Sequence, residues 1–188
     1  MTDGRSRATL RARQQWMVVI VIATGLVIAI TVLVAGAAAG YRLNMTASEP
    51  LGIWRIRPLK RPPAVGDLVF ICPPETEMFS EGRARGYLRR GICTTGDAPL
   101  IKMVLATEGQ RIEIGADVRI DGLRIPQTTV VPSDGNGRPL RGDAGGVVPA
   151  GRVFLYSPFA ASWDSRYFGS IPATGILGLA EEVLTYAP

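Results

Sequence analysis

Apolar residues follow two regimes along this chain. From Trp16 to Ala39 they run without interruption except for two threonines and two glycines, whereas beyond Arg42 they come in short groups broken by Gly and Pro. Wound as a helix at ~1.5 Å per residue, the first regime reaches roughly 36 Å and covers a ~30 Å hydrocarbon layer with some tilt. Trp16 and Tyr41 bracket it as interfacial anchors, and Arg5, Arg7, Arg11 and Arg13 precede it. The pattern predicts a cytoplasmic tail over 1–15, a membrane anchor over 16–40 and an external domain over 41–188. A cleavable export signal is the other reading, since Ala37-Ala38-Ala39 resembles a small-residue cleavage site. Its apolar region exceeds the ~7–15 residues of such signals, so the expectation is a retained anchor.

The second regime has a β-rich texture. Leu68 to Ile71, Ile101 to Ala106, Arg111 to Ile114 and Val153 to Tyr156 read as strands bounded by turn residues. In Val118 to Ile125, apolar and basic residues alternate around Asp121-Gly122, which predicts a hairpin with a two-residue turn. Thr129 to Pro149 has no periodicity and reads as a long surface loop or an insertion. The segment Glu81 to Gly86 reads as mobile, and no repeat or second domain emerges. Without the N-terminal segment about 145 residues remain, the usual size of one domain with its own core.

Composition removes whole classes of chemistry. The chain has no histidine, which excludes Ser-His-Asp triads, Cys-His dyads and histidine-ligated metals. Two cysteines cannot build a four-cysteine zinc site, so no metal or cofactor is expected. The formal charge of +5 divides into +3 from four arginines and Asp3 in the first thirteen residues and +2 for the rest. Basicity beside an apolar segment reports membrane topology, and no nucleic-acid partner is expected. In a domain outside the cytoplasm, Cys72 and Cys93 favour a disulfide worth about 3 kcal/mol, against the alternative of two free thiols. Arg83, Arg85, Arg89 and Arg90 form a basic cluster, either a solvated loop face or a dock for anionic lipid.

Two features carry candidate chemistry. Asn44, Thr46 and Ser48 stand at spacing two ahead of Pro50 and Gly52, and an extended segment would put their side chains on one face. Lys102 is a lone charge inside Leu100-Ile101-Lys102-Met103-Val104-Leu105. Burial there would lower its pKa, as a lysine requires to take a proton from a serine hydroxyl near neutral pH. A lysine that snorkels out along its stem is the competing outcome.

Residues 44–54, the stretch from Pro99 through Lys102 to Gln110, and the box Asp164-Ser165-Arg166-Tyr167-Phe168-Gly169 occur in a recognisable order. On these three boxes the chain resembles the signal peptidase I superfamily, most closely its conjugative-transfer branch, the TraF-type pilin-processing peptidases. The likeness spans nearly all of residues 16–182. It implies a mostly β, LexA/signal-peptidase-like Ser-Lys protease fold with one N-terminal transmembrane helix. It further implies that Ser48 is the nucleophile and Lys102 the general base, with the Ser48 amide and the Thr46 hydroxyl at the oxyanion. Ser162 matches the serine that holds the lysine amine. Asp164 and Arg166 match a structural ion pair, whose aspartate also matters for activity in the pilin-processing branch. Met103, Glu108-Gly109-Gln110 and Leu155 to Ala160 depart from the pattern of the general enzymes and lean away from a housekeeping role.

The expected function is therefore a single-pass endopeptidase of the bacterial inner membrane with its catalytic domain in the periplasm. Even a fully extended linker from Gly40 holds Ser48 within roughly 27–29 Å of the apolar segment's end. Its substrate would be a membrane-inserted pilin or preprotein, and in the resembled branch the substrate's own N-terminal amine can resolve the acyl-enzyme into a cyclic pilin. A general signal peptidase is the rival within the enzyme class. A non-enzymatic docking subunit of a secretion or pilus apparatus is the rival outside it.

Overall fold

A computed structural model describes residues 3–186, with side chains from Arg13 onward. The chain divides into two units, one up to Tyr41 and one from Arg42 onward. The first is a helix, α1 (Asp3–Ala38). Its segment Arg13–Ala38 is long and apolar enough to cross a membrane, and it fits an anchor or a signal sequence. The helix starts well before Trp16, so the backbone of residues 3–15 continues it. The side chains of Asp3, Arg5, Arg7 and Arg11, on which the charge partition rests, lie outside the described residues, as do the first and last two residues entirely.

The second unit is mostly β. Its strands are β1 (Tyr41–Asn44), β2 (Leu51–Arg57), β3 (Leu68–Ile71), β4 (Leu100–Thr107), β5 (Arg111–Ile114) and β6 (Val118–Ile120). They continue with β7 (Leu123–Arg124), β8 (Gly146–Val147), β9 (Arg152–Tyr156), β10 (Ile171–Pro172) and β11 (Ile176–Tyr186). Two short helices join them, α2 (Glu77–Ala84) and α3 (Ser165–Phe168). Seven strands form one sheet in the order β1-β2-β11-β3-β4-β9-β10, and four form a smaller one in the order β7-β6-β5-β8. The pairings from β2 through β10 are antiparallel.

The central strands β3, β4 and β9 are nearly continuous apolar runs because side chains on both of their faces are covered. Val69, Ile71, Val104, Val153 and Leu155 form the largest buried cluster, joined by Phe79 and Phe168. Ala106, Ile112, Val118 and Phe154 make a second cluster against the small sheet. The Asp121-Gly122 hairpin appears as expected, with φ of 51° and 81° at the two turn residues, the positive pair that a twisted two-residue turn requires. Gly52 sits at φ 131° where a side chain would collide with the Leu184 carbonyl of β11.

The reading of Glu81 to Gly86 as mobile is corrected. Most of it belongs to α2, capped by the Thr76 side chain and buried through Phe79 and Gly82. Phe79 packs on Trp163 and Phe168 with ring centroids 5.2 and 4.9 Å apart, and a side chain at Gly82 would strike the Trp163 ring. An aromatic cluster supplied from the far end of the chain orders a segment whose own composition is polar. Cys72 and Cys93 form a disulfide that ties the end of β3 to the stretch beyond α2. The stretch 129–149 is only partly a surface loop: Asp134 pairs with Arg138 and Arg85 donates to the Pro139 carbonyl, but β8 pairs with β5 at its end and Val148 is buried in the core.

Candidate active site

β4 carries Lys102 between β3 and β9, with Val69 opposite it and Met103 paired to Tyr156. The lysine is 2 % exposed, so the side chain does not snorkel out. Its amine donates to the Ser162 hydroxyl at 2.8 Å. Burial is the main influence on its proton affinity, lowering the pKa from 10.5 to about 8; Asp164 and Glu49 pull the other way, and Arg166 reinforces the drop. Most of the ordinary obstacle to a lysine base at neutral pH is thus removed by burial on the strand that carries it.

Ser48 is presented differently from the expectation. β1 ends at Asn44, and Thr46 to Glu49 form a turn, so Asn44, Thr46 and Ser48 do not share a strand face. Asn44 organises the turn. Its carbonyl oxygen accepts from the Thr46 amide at 3.1 Å and the Thr46 hydroxyl at 2.7 Å. Its amide nitrogen lies 3.0 Å from the carbonyls of Thr46, Glu49 and Pro50. The Pro50 carbonyl also accepts from the indole of fully buried Trp54, which ties the turn to β2. A short polar side chain that closes a turn on its own backbone competes with strand continuation, and here it wins.

The same network changes the reading of Thr46. An amide oxygen only accepts, so the Thr46 proton is committed to Asn44. In this conformation the hydroxyl has no proton to offer an oxyanion. The Ser48 amide, by contrast, donates to no group among the described residues. The Ser48 carbonyl accepts from the Ser157 hydroxyl, which fastens the turn to the loop after β9.

Behind Lys102 lies a second cation. Arg166 is 1 % exposed and meets Asp164 through two hydrogen bonds of 2.8 Å, from Nε and Nη2. Its remaining donors go to the Thr129 carbonyl at 2.8 Å and the Ser162 carbonyl at 3.2 Å. Asp164 caps α3 and accepts from the Ser157 amide at 3.2 Å. One buried ion pair therefore fixes both Ser162, which holds the lysine, and Ser157, which holds the Ser48 turn.

Ser48, Lys102, Thr46 and Ser162 line one cleft of about 390 Å³. Asp164 and Arg166 lie outside its lining and support it from beneath. Cys72 and Cys93 stand apart from the lining as well, although the segment between them supplies part of the cleft wall. Among the described residues no group of three His, Cys, Asp or Glu is arranged to hold a metal.

Sequence reasoning missed the turn-building role of Asn44, the two-way link made by Ser157, and Glu49. Glu49 is buried beside Ser48, with one carboxylate oxygen left without a hydrogen-bond partner. Burial pushes its carboxyl pKa up against the opposing pull of Lys102 and Ser157. The density of Asn, Thr, Ser, Pro and Gly over 44–52 was an available signal for a turn. Nothing local to Ser157 points to its partner, which is more than a hundred residues away.

The model of the signal peptidase family, peptidase S26, matches residues 13–185. A probable conjugal transfer protein TraF from Sinorhizobium fredii is 54% identical over 180 residues, covering 96% of each chain. A plasmid transfer protein TraF from Escherichia coli is 34% identical over 161 residues, 82% of this chain and 89% of that one. Among solved structures, a signal peptidase I from Enterococcus faecalis V583 aligns at a TM-score of 0.40 and 17% identity, over 63% of this chain and 97% of the other.

Proposed function

The chain belongs to the signal peptidase family, peptidase S26, and on that premise we propose that it is a membrane-anchored Ser-Lys endopeptidase that matures a conjugative pilin. The observation that carries the proposal is the fully covered Lys102 amine, with its lowered pKa and a neutral hydroxyl partner, in the same cleft as Ser48. With a pKa of about 8, ~10% of Lys102 is neutral at pH 7, enough to serve as a base, and a bound substrate that excludes water raises that share.

The reaction runs as an acyl transfer. The Ser48 oxygen forms a bond to the scissile carbonyl carbon as its proton passes to Lys102, and the Ser48 amide donates to the developing oxyanion. Collapse breaks the C–N bond, and the Lys102 proton goes to the departing amine. A second nucleophile, deprotonated by Lys102, then resolves the ester. Water gives a linear product, and an amine of the substrate gives a cyclic one. Ser162 aims the lysine, and the Asp164–Arg166 pair holds Ser162.

The pilin assignment draws support from the relatives named as conjugal and plasmid transfer proteins. The disulfide fits an oxidising compartment, and α1 fits an anchor with its N-terminus in the cytoplasm and residues 41–188 in the periplasm of a bacterium. The test is mass spectrometry of a pilin precursor co-expressed with wild type, Ser48→Ala or Lys102→Ala. A processed product confined to wild type is the expected result, and a mass one water below the linear form identifies cyclisation. Processing by all three proteins contradicts the proposal.

A further inference from the structure

The basic cluster on the stretch between the cysteines separates into two pairs. Arg83 is neutralised by nearly buried Asp97 at 2.7 Å, and Arg85 bonds to Glu81 and the Pro139 carbonyl. Arg89 and Arg90 are exposed, and among the described residues their guanidinium groups have no hydrogen bond or ion pair. Both line the cleft that holds Ser48 and Lys102.

Their backbone is firmly held. The Arg89 carbonyl accepts from the Ala98 amide at 2.7 Å, Arg90 bridges to Asp97, and Gly91 and Cys93 donate to the carbonyls of Gly96 and Asp97 at 2.9 Å each. The disulfide anchors the same loop to β3. A pinned backbone bearing two unspent cations presents charge in a fixed place, which a mobile surface loop does not. Among the described residues no aspartate or glutamate lines the cleft. A concave site lined by one sign of charge focuses its field on whatever enters.

We propose that Arg89 and Arg90 form a carboxylate-binding subsite that selects substrates with an aspartate or glutamate at a fixed distance from the cleaved bond. The inference rests on the Ser48–Lys102 peptidase reading, and it names the chemical class of the substrate. The chain that must lie in this cleft is a polypeptide, and the anion a polypeptide carries is a side-chain or terminal carboxylate. A guanidinium binds it with paired, charge-assisted hydrogen bonds. The rival ligand is the phosphate of an anionic membrane lipid.

The experiment uses the full-length protein in detergent and a library of synthetic peptides whose cleavage is read by mass spectrometry. Wild type is expected to enrich Asp and Glu at one position, and replacing that residue by Gln is expected to lower kcat/KM by about threefold to tenfold. Arg89→Gln/Arg90→Gln equalises the Glu and Gln peptides, and Arg89→Glu/Arg90→Glu turns the preference toward Lys. A merely structural loop would not invert selectivity, and unchanged melting temperatures confirm that the variants fold. A wild-type profile with no acidic preference overturns the subsite while leaving the Ser-Lys reading standing. Absence of any peptide cleavage by wild type contradicts both. Loss of flotation with phosphatidylglycerol vesicles in Arg89→Gln/Arg90→Gln, with peptide preference unchanged, assigns the pair to lipid phosphate and overturns the subsite.

Discussion

Two buried cations bond to the same serine, Lys102 to the Ser162 hydroxyl and Arg166 to the Ser162 carbonyl, and the fold treats them in opposite ways. Arg166 has a carboxylate in bidentate contact, two carbonyls for its other donors, and the rings of Tyr156 and Tyr167 at 5.2 and 5.6 Å. Lys102 has a single neutral hydroxyl. Desolvation is the largest single influence on each, yet the Asp164 contacts keep the Arg166 pKa raised while that of Lys102 falls to about 8. The difference teaches that burial alone does not make a base. Burial without an adequate counter-ion does, and a paired neighbour can hold the frame while the unpaired group remains free to exchange a proton.

The sharpest break in the comparison is catalytic. Lys102→Met and Ser48→Ala are each expected to reduce processing at least ~1,000-fold, measured as precursor turnover, because the proposed nucleophile or its proposed base is gone. Arg166→Met is expected to lower stability by about 3–5 kcal/mol, read from denaturant melts, because it leaves Asp164 buried at 0 % exposure without its partner.

Lys102→Met should move stability the other way. The folded pKa of about 8 lies below the unfolded 10.5, so as pH falls the unfolded chain takes up the proton first. Lysine therefore costs stability progressively from pH 10.5 down to about 8 and by a constant amount below that. Removing it is expected to stabilise the protein at pH 7 by about 1–3 kcal/mol, with the gain disappearing above pH 10.5. Opposite signs for the two methionine variants in parallel melts would sharpen the contrast, and equal losses would break it.

Asn44→Ala probes the other half of the site. Loss of the contacts that close the Ser48 turn is expected to cost about 1–2 kcal/mol and to lower kcat more than it raises KM, since the turn positions the proposed nucleophile. Thr46→Val, which only removes a hydroxyl already committed to Asn44, should have the smallest effect, under about tenfold in kcat. A larger loss would mean that the hydroxyl turns toward the oxyanion during the reaction.

The legibility of the chain follows the same division between local and distant causes. Lys102 stood out because a charge in an apolar run is a local anomaly, and β3, β5 and the Asp121-Gly122 hairpin were readable from alternation and turn chemistry within a few residues. Ser48 stood out with Thr46 from their spacing ahead of Pro50 and Gly52, and family resemblance brought Ser162, Asp164 and Arg166 into view. The long strand β11 escaped because Glu181 and Glu182 interrupt its apolar pattern and bulges at Ile176/Gly178 and Glu182/Leu184 shift its phase. α2 escaped because its burial depends on Trp163 and Phe168. Spacing two at Asn44, Thr46 and Ser48 mimics a strand face, but the Asn44 side chain closes a turn on its own backbone, so the pattern misleads here. Ser157 was illegible for the simplest reason, that a serine shows its partner only after folding.

The central claim is that Ser48 becomes acylated with Lys102 as its base. The direct test is acid-quenched, intact-protein mass spectrometry during turnover of a cleaved substrate, with peptide mapping of the adduct and repetition across pH 6–9. An acyl group on Ser48, formed at a rate that climbs with pH toward a plateau above about 8 and lost in Lys102→Met, is the predicted result. An adduct on another residue, or acylation of Ser48 that persists in Lys102→Met with the same pH profile, would contradict it.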